Sequence, residues 1–208
     1  MGTWTSFYLQ TRNAEAVAAK LGALCPDLTI STPADFPADM GDYQLLSNER
    51  EPNYMAVCNT QGDWTTVVHN SFSKLETWGS QLSRELDCCV IMIMAQTVTD
   101  SYYFAMYEKG NLRREIETCY STDFEEVNTG EIFHFEGPSP GIKVNLDGEE
   151  SYIFDFEAME EYCSHFDLRI YEDYSAHRWT VLKGSNLRME IKEFIQQHTA
   201  KKPWWKFW

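Results

Sequence analysis

Seven consecutive apolar residues, Cys89-Val90-Ile91-Met92-Ile93-Met94-Ala95, constrain the fold of this chain more than any other stretch. Side chains alternate between the two faces of a strand, so a run with no polar residue is apolar on both. Such a run belongs at the centre of a sheet covered on both sides. It is too short to span a membrane, and no other run comes close. Cys88 and Cys89 open the strand, free cysteine packing as a small hydrophobe.

A strand–helix–strand pattern recurs around this run. Residues 5–11 read as a strand. Asn13 is placed to cap a helix running to about residue 24, with Val17, Leu21 and Leu24 at helical spacing, and Cys25-Pro26 stops it. In the second unit residues 64–69 form a strand and Ser73-x-x-Glu76 reads as a capping box. Leu75, Trp78, Leu82 and Leu86 then share a helical face that leads into the apolar strand. Trp4-Thr5-Ser6 aligns with Trp64-Thr65-Thr66 at an offset of sixty residues, and Glu15/Leu21 align with Glu76/Leu82 after one gap, as in a duplication.

Residues 102–107 and 112–120 read as strands joined by Glu108-Lys109-Gly110-Asn111, where Gly110 and Asn111 tolerate the positive φ of a tight hairpin. Short strands and turns alternate through residues 128–150, with turns at Gly137-Pro138, Pro140-Gly141 and Asp147-Gly148. In a third unit, residues 152–154 form a strand, Asp155 caps a helix, and Phe156, Met159, Cys163 and Phe166 line one helical face. Strands at 168–171 and 179–182 follow, then an amphipathic helix carrying Leu187, Ile191, Phe194 and Ile195. Residues 31–43 read as an irregular excursion. The expected fold is α+β, a mixed or mainly antiparallel sheet with helices packed on it, built from repeated strand–helix–strand units. The 208 residues suffice for one compact domain. Two tandem related subunits, about 1–60 and 61–136, and a C-terminal strand–helix–strand extension over about 150–208 are expected within it.

The net charge of −15 is unevenly spread. Residues 100–175 hold nineteen carboxylates against five Lys/Arg, a local −14, whereas residues 176–208 are net +5. An acidic middle repels phosphate backbones and argues against nucleic acid as a partner. It attracts basic proteins instead. Six scattered cysteines, no Asn-x-Ser/Thr sequon, and a start without the basic and apolar regions of a signal peptide point to free thiols in the cytoplasm.

No motif carries a catalytic or cofactor assignment. Gly137-Pro138-Ser139-Pro140-Gly141 has the letters of a serine-hydrolase elbow, but Pro140 lacks the N–H its oxyanion hole needs. No two of the five histidines share zinc-helix spacing, and Glu131 and His134 would point to opposite faces of a strand. Asn145-x-Asp147-Gly148-Glu149-Glu150 lacks the order of a calcium loop. Glu115 and Glu117 share one strand face while Arg114 points to the other. No glycine-rich phosphate loop follows a strand. The expectation is therefore no cofactor and no metal.

Three functions compete. The first is a protein–protein interaction module presenting the acidic surface of residues 108–161 to a basic partner, with Asp123, Glu125, Glu126, Glu149, Glu150, Glu157, Glu160 and Glu161 as contacts. The tail Lys201-Lys202-Pro203-Trp204-Trp205-Lys206-Phe207-Trp208 alternates cations with aromatics, and Trp204, Trp205 and Trp208 either pack on the chain itself or dock on a partner. Stable membrane insertion is not expected. In composition and in the absence of catalytic spacing the chain broadly resembles bacterial toxin-neutralising immunity proteins, though no motif carries that likeness and no residue role follows from it. The second is an enzyme or small-molecule binder with a site assembled from Tyr102, Tyr103, His69, His134 and Arg114 near the centre of the sheet. The third is a subunit of a homo-oligomer joined through an aromatic face on residues 102–107 or through the tail.

Overall fold

The structure is a computed structural model and describes residues 3–31, 33–38, 40, 51–97, 99–120, 124–146, 148–170 and 173–184. Asp123, the helix expected around Leu187–Ile195 and the tail with Trp204, Trp205 and Trp208 lie outside the described residues.

Nine strands form one sheet: β1 (Thr3–Leu9), β2 (Leu28–Ile30), β3 (Tyr54–Gln61), β4 (Trp64–His69), β5 (Cys89–Gln96), β6 (Ser101–Glu108), β7 (Asn111–Cys119), β8 (Val127–Gly130) and β11 (Thr180–Gly184). Their spatial order is β2-β11-β3-β4-β1-β5-β6-β7-β8. Every pairing among them is antiparallel. A separate hairpin pairs β9 (Ile142–Leu146) with β10 (Glu149–Ile153). Three helices complete the described residues: α1 (Ala14–Leu24), α2 (Glu76–Glu85) and α3 (Phe156–Ser164). The fold is α+β around a large antiparallel sheet.

The apolar run lies at the centre of this sheet, as β5 between β1 and β6. Its side chains divide by parity. Val90 and Met92 join Phe7, Leu9, Tyr103 and Tyr107 in a core under α1 and α2, closed by Val17, Leu21, Trp78 and Leu82. Cys89, Ile91, Ile93 and Ala95 join Tyr8, Phe104 and Ile116 in a second core on the opposite face, closed by Ala158, Met159, Tyr162 and Cys163 of α3. A third cluster on that second face packs Tyr54, Ala56, Cys58 and Val68 against Trp179 and Met40. The aromatic face of residues 102–107 is thus consumed within the chain, since Tyr102, Tyr103, Phe104 and Tyr107 are all buried. That removes the basis for an oligomer contact through it.

Local signals set the helix ends where a side chain can reach. The Asn13 Oδ1 accepts from the Ala16 N–H at 3.0 Å and the Asp155 Oδ1 from the Ala158 N–H at 3.0 Å. The capping box at Ser73 does not form. The residue before α2 is Leu75, in a left-handed conformation at φ 51° and with no side-chain cap. Its side chain is buried in the core, and that burial outweighs the cap. Close approach of α2 to the sheet depends on Gly79, where a Cβ would lie 2.5 Å from the Tyr107 ring and 2.8 Å from the Met92 sulfur. The β6–β7 hairpin turns with positive φ at Lys109 and Gly110, one residue earlier than expected, and Asn111 already belongs to β7.

Three strand expectations change, the short β2 being one that no sequence signal marked. β3 was not signalled, although Tyr54–Cys58 is an unbroken apolar run that the sheet buries on both faces. Residues 168–170 are not a strand. Leu168 and Ile170 are buried, but the backbone between them is held by a side chain: Gln61 Nε2 donates to the Arg169 carbonyl at 2.7 Å, and Arg169 N–H donates to Gln61 Oε1 at 2.8 Å.

The second cover layer is tied to the sheet by a buried ion pair. Arg114 Nε and Nη2 donate to the two carboxylate oxygens of Glu136 at 2.8 and 2.6 Å, with both side chains 1% exposed. Arg114 Nη1 donates to the Thr129 carbonyl at 2.8 Å, and Glu136 Oε1 also accepts from the Phe133 N–H at 2.9 Å. Removing one partner of such a pair strands the other charge. Arg114→Met is expected to cost about 3–5 kcal/mol in urea unfolding. Arg114→Met with Glu136→Leu is expected to recover part of that loss, because no lone charge remains.

Candidate functional site

Seven of the acidic candidates fall within the described residues. Glu125, Glu126, Glu149, Glu150, Glu157, Glu160 and Glu161 are all exposed. Glu125 and Glu126 precede β8, Glu149 and Glu150 open β10, and the other three occupy the outer side of α3, whose inner side carries Ala158, Met159, Tyr162 and Cys163. Glu150 pairs with Lys143 at 2.5 Å. The other six make no ion pair with any described residue.

The five residues expected to assemble a pocket do not come together. Arg114 is consumed by Glu136, Tyr102 is buried in the second core, and His134 is exposed on the segment before Glu136. His69 and Tyr103 do meet. Both line a small void of about 10 Å³ on the opposite, α2-bearing face of the sheet, together with Ser71, Ser73 and Lys74.

Above that void lies a groove of about 720 Å³ at the start of α2. The chain leaves β4 at His69, turns through Ser71 and Ser73, and enters the helix through the left-handed Leu75. Ser71 N–H donates to His69 Nδ1 at 3.3 Å and Ser73 N–H to Ser71 Oγ at 3.0 Å, which fixes the turn. Lys74 is thereby set over the sheet. Its ammonium lies 2.5 Å from Glu117 Oε2, 3.9 Å from Glu115 Oε1, and 5.4 Å from the centroid of the Tyr103 ring. Glu115 and Glu117 share a strand face, as the alternation requires. Glu51, Glu76 and Glu117 line the groove, with Phe72 and Trp78 as its apolar wall. Beyond Glu76 and Thr77 a second depression of about 560 Å³ reaches Tyr107 and Glu115.

Burial sets the protonation of the groups beneath. It drives His69 down to about 3, so the ring is neutral. It pushes Tyr103 well up, helped by Tyr107 and Glu115, and raises Tyr107 to about 12. The thiols of Cys25 and Cys88 are pushed to about 11 and that of Cys89 to about 12, chiefly by burial, so at neutral pH they are neither thiolate nucleophiles nor ready metal ligands. No group of three or more His, Cys, Asp or Glu among the described residues could hold a metal ion. No helix among them is long and apolar enough to cross a membrane. The groove itself gathers charge, with Glu51, Glu76 and Glu117 around Lys74.

Sequence reasoning found Tyr103, His69 and the Glu115/Glu117 pair but missed Lys74, whose position depends on the uncapped entry to α2. Comparison with protein families, with curated proteins and with solved structures finds no match in any of the three.

The neutral state of His69 makes stability depend on pH. The unfolded imidazole titrates near 6.5 and the folded one near 3, so between these values the unfolded chain binds more protons. Stability from this group is complete above the upper value and falls as pH drops through the window. Between pH 7.5 and 5 it should lose about 2 kcal/mol through His69. His69→Asn keeps an acceptor for Ser71 N–H, and its urea midpoint should fall less than the wild-type midpoint over the same range.

Proposed function

We propose that this protein is a protein–protein interaction module that presents the carboxylate-rich layer of α3 and the β9–β10 hairpin to a basic partner. The observation that carries this reading is the set of six exposed carboxylates, Glu125, Glu126, Glu149, Glu157, Glu160 and Glu161, with no ion-pair partner among the described residues. The fold does not need them there. Glu157 sits one helical turn from Glu160 and Glu161, where like charges repel. Glu160 and Glu161 also lie toward the helix C-terminus, where the macrodipole disfavours anions. A charge arrangement that weakens its own helix but speeds encounter with a cationic surface is the trade expected of a binding face. Cysteines unpaired at all six positions support a reducing compartment, the cytoplasm.

The same reading takes residues of about 1–60 and 61–136 as tandem related units, with β1-α1-β3 answering to β4-α2-β5: β3 flanks β4 as β5 flanks β1. Phe7 lies opposite Val67, sixty residues on, and both helices cover one face of the sheet. A second functional reading, a binder of small ligands, rests on the groove at α2.

Affinity capture from the native host's lysate at low and moderate salt tests the acidic face. The expected outcome is one basic protein retained at low salt, shed at higher salt, and lost with Glu157→Lys/Glu160→Lys/Glu161→Lys. Undiminished capture by that folded variant would sink the reading. Glu160→Gln/Glu161→Gln should in addition unfold at higher urea than wild type, by about 0.3–1 kcal/mol.

A further inference from the structure

We infer that the groove at the start of α2 is a cradle for a guanidinium or ammonium group, and that Lys74 is an internal occupant which a ligand's cation displaces. The site lies on the face of the sheet opposite α3, so the inference does not rest on the acidic layer.

The groove's charge is unbalanced. Glu51, Glu76 and Glu117 line it against Lys74 alone, and Glu115 stands just beyond Lys74. Glu115 and Glu117 are only 14% and 16% exposed, so water screens them poorly and a cation between them is held more firmly than on open surface. Lys74 serves the two carboxylates unequally, and the further donor to Glu115, Thr129 Oγ1, is at 3.5 Å. Lys74 closes on Glu117 at 2.5 Å but stops 3.9 Å from Glu115, beyond hydrogen-bond distance. A lysine ammonium is a point charge, whereas a planar guanidinium presents five donors in a fork that can bridge two carboxylates.

The floor points the same way. The Tyr103 ring lies under the Lys74 ammonium, the arrangement of a cation–π contact. Tyr103, 2% exposed, lines the void beneath Lys74, and its hydroxyl stands beside that of Tyr107 without a well-aligned hydrogen bond. The helix N-terminus opposes a cation through its dipole, but Glu76 in the first turn offsets that field. A volume of about 720 Å³ is that of a pocket for a small ligand or a single long side chain.

The chemistry fits both a free amine and an arginine side chain of a partner. Calorimetric titration of the full chain with agmatine and with the blocked peptide acetyl-Gly-Arg-Gly-amide separates them, and tighter binding of one identifies the source. Saturable binding of at least one probe is expected. Glu117→Gln should weaken it about tenfold, the value of one charge-assisted hydrogen bond. Lys74→Met should strengthen it, while Lys20→Met, with the same charge change on α1, should not. The Glu157→Lys/Glu160→Lys/Glu161→Lys variant should bind as wild type does. No saturable binding to wild type or Lys74→Met, or an equal gain in Lys20→Met, would overturn the inference.

Discussion

A central strand with no polar face has to be covered twice, and the rest of this molecule follows from that. One cover is simple: α1 and α2 lie on a single face and send Val17, Leu21, Trp78 and Leu82 onto Phe7, Val90 and Met92. The other must be built from chain that comes later and carries far more charge, so it is pinned by polar contacts as well as by α3. Arg114 reaches from β7 to Glu136, Trp64 Nε1 donates to the Phe166 carbonyl at 3.0 Å, and Thr118 Oγ1 donates to the Phe154 carbonyl at 3.0 Å. These bonds give the second layer its position on the sheet, while α3 supplies its apolar contact. Burying Arg114 is tolerable only because all its guanidinium nitrogens have acceptors.

What could be read in the sequence was what is settled within a few residues. Asn13 and Asp155 cap their helices because each side chain needs only to reach three residues ahead. The double burial of β5 was legible because parity alone decides it. Ser73 failed as a cap because Leu75 has an appointment in the core, a contact settled by the sheet and not by the neighbouring residues. Residues 168–170 alternate like a strand, yet their ladder is a single glutamine, Gln61, contributed by the distant end of β3. Arg114 suggested a site because its partner stands 22 residues further on and carries no mark of the pairing.

The candidate sites show the same division. The acidic stretch was visible as composition, and the seven described carboxylates are exposed as an acidic stretch implies. The groove was only half visible. Glu115 and Glu117 could be placed on one face by alternation, but Lys74 comes from the turn before α2 and Tyr103 from β6, and only the strand order brings these together. Strand order is a non-local property, and no single-sequence pattern encodes it.

The sheet also separates the two electrostatic features of the molecule. The α3 carboxylates face solvent on one side, and the Lys74 cradle opens on the other, with Glu115 and Arg114, adjacent in β7, pointing to opposite faces. An exposed carboxylate on α3 acts through a screened field and chiefly alters encounter rates. Glu115 and Glu117 are poorly solvated, so each contact they make with a cation is short-ranged and specific. On the readings proposed above, one chain would hold a long-range attractor for cationic surfaces and a close-range receptor for a single cationic group. Because a packed strand layer lies between them, the two can be altered independently, and a partner that uses both must present its charge around the edge of the sheet at β8, where Glu125 and Glu126 stand beside Val127, the residue paired with Glu117.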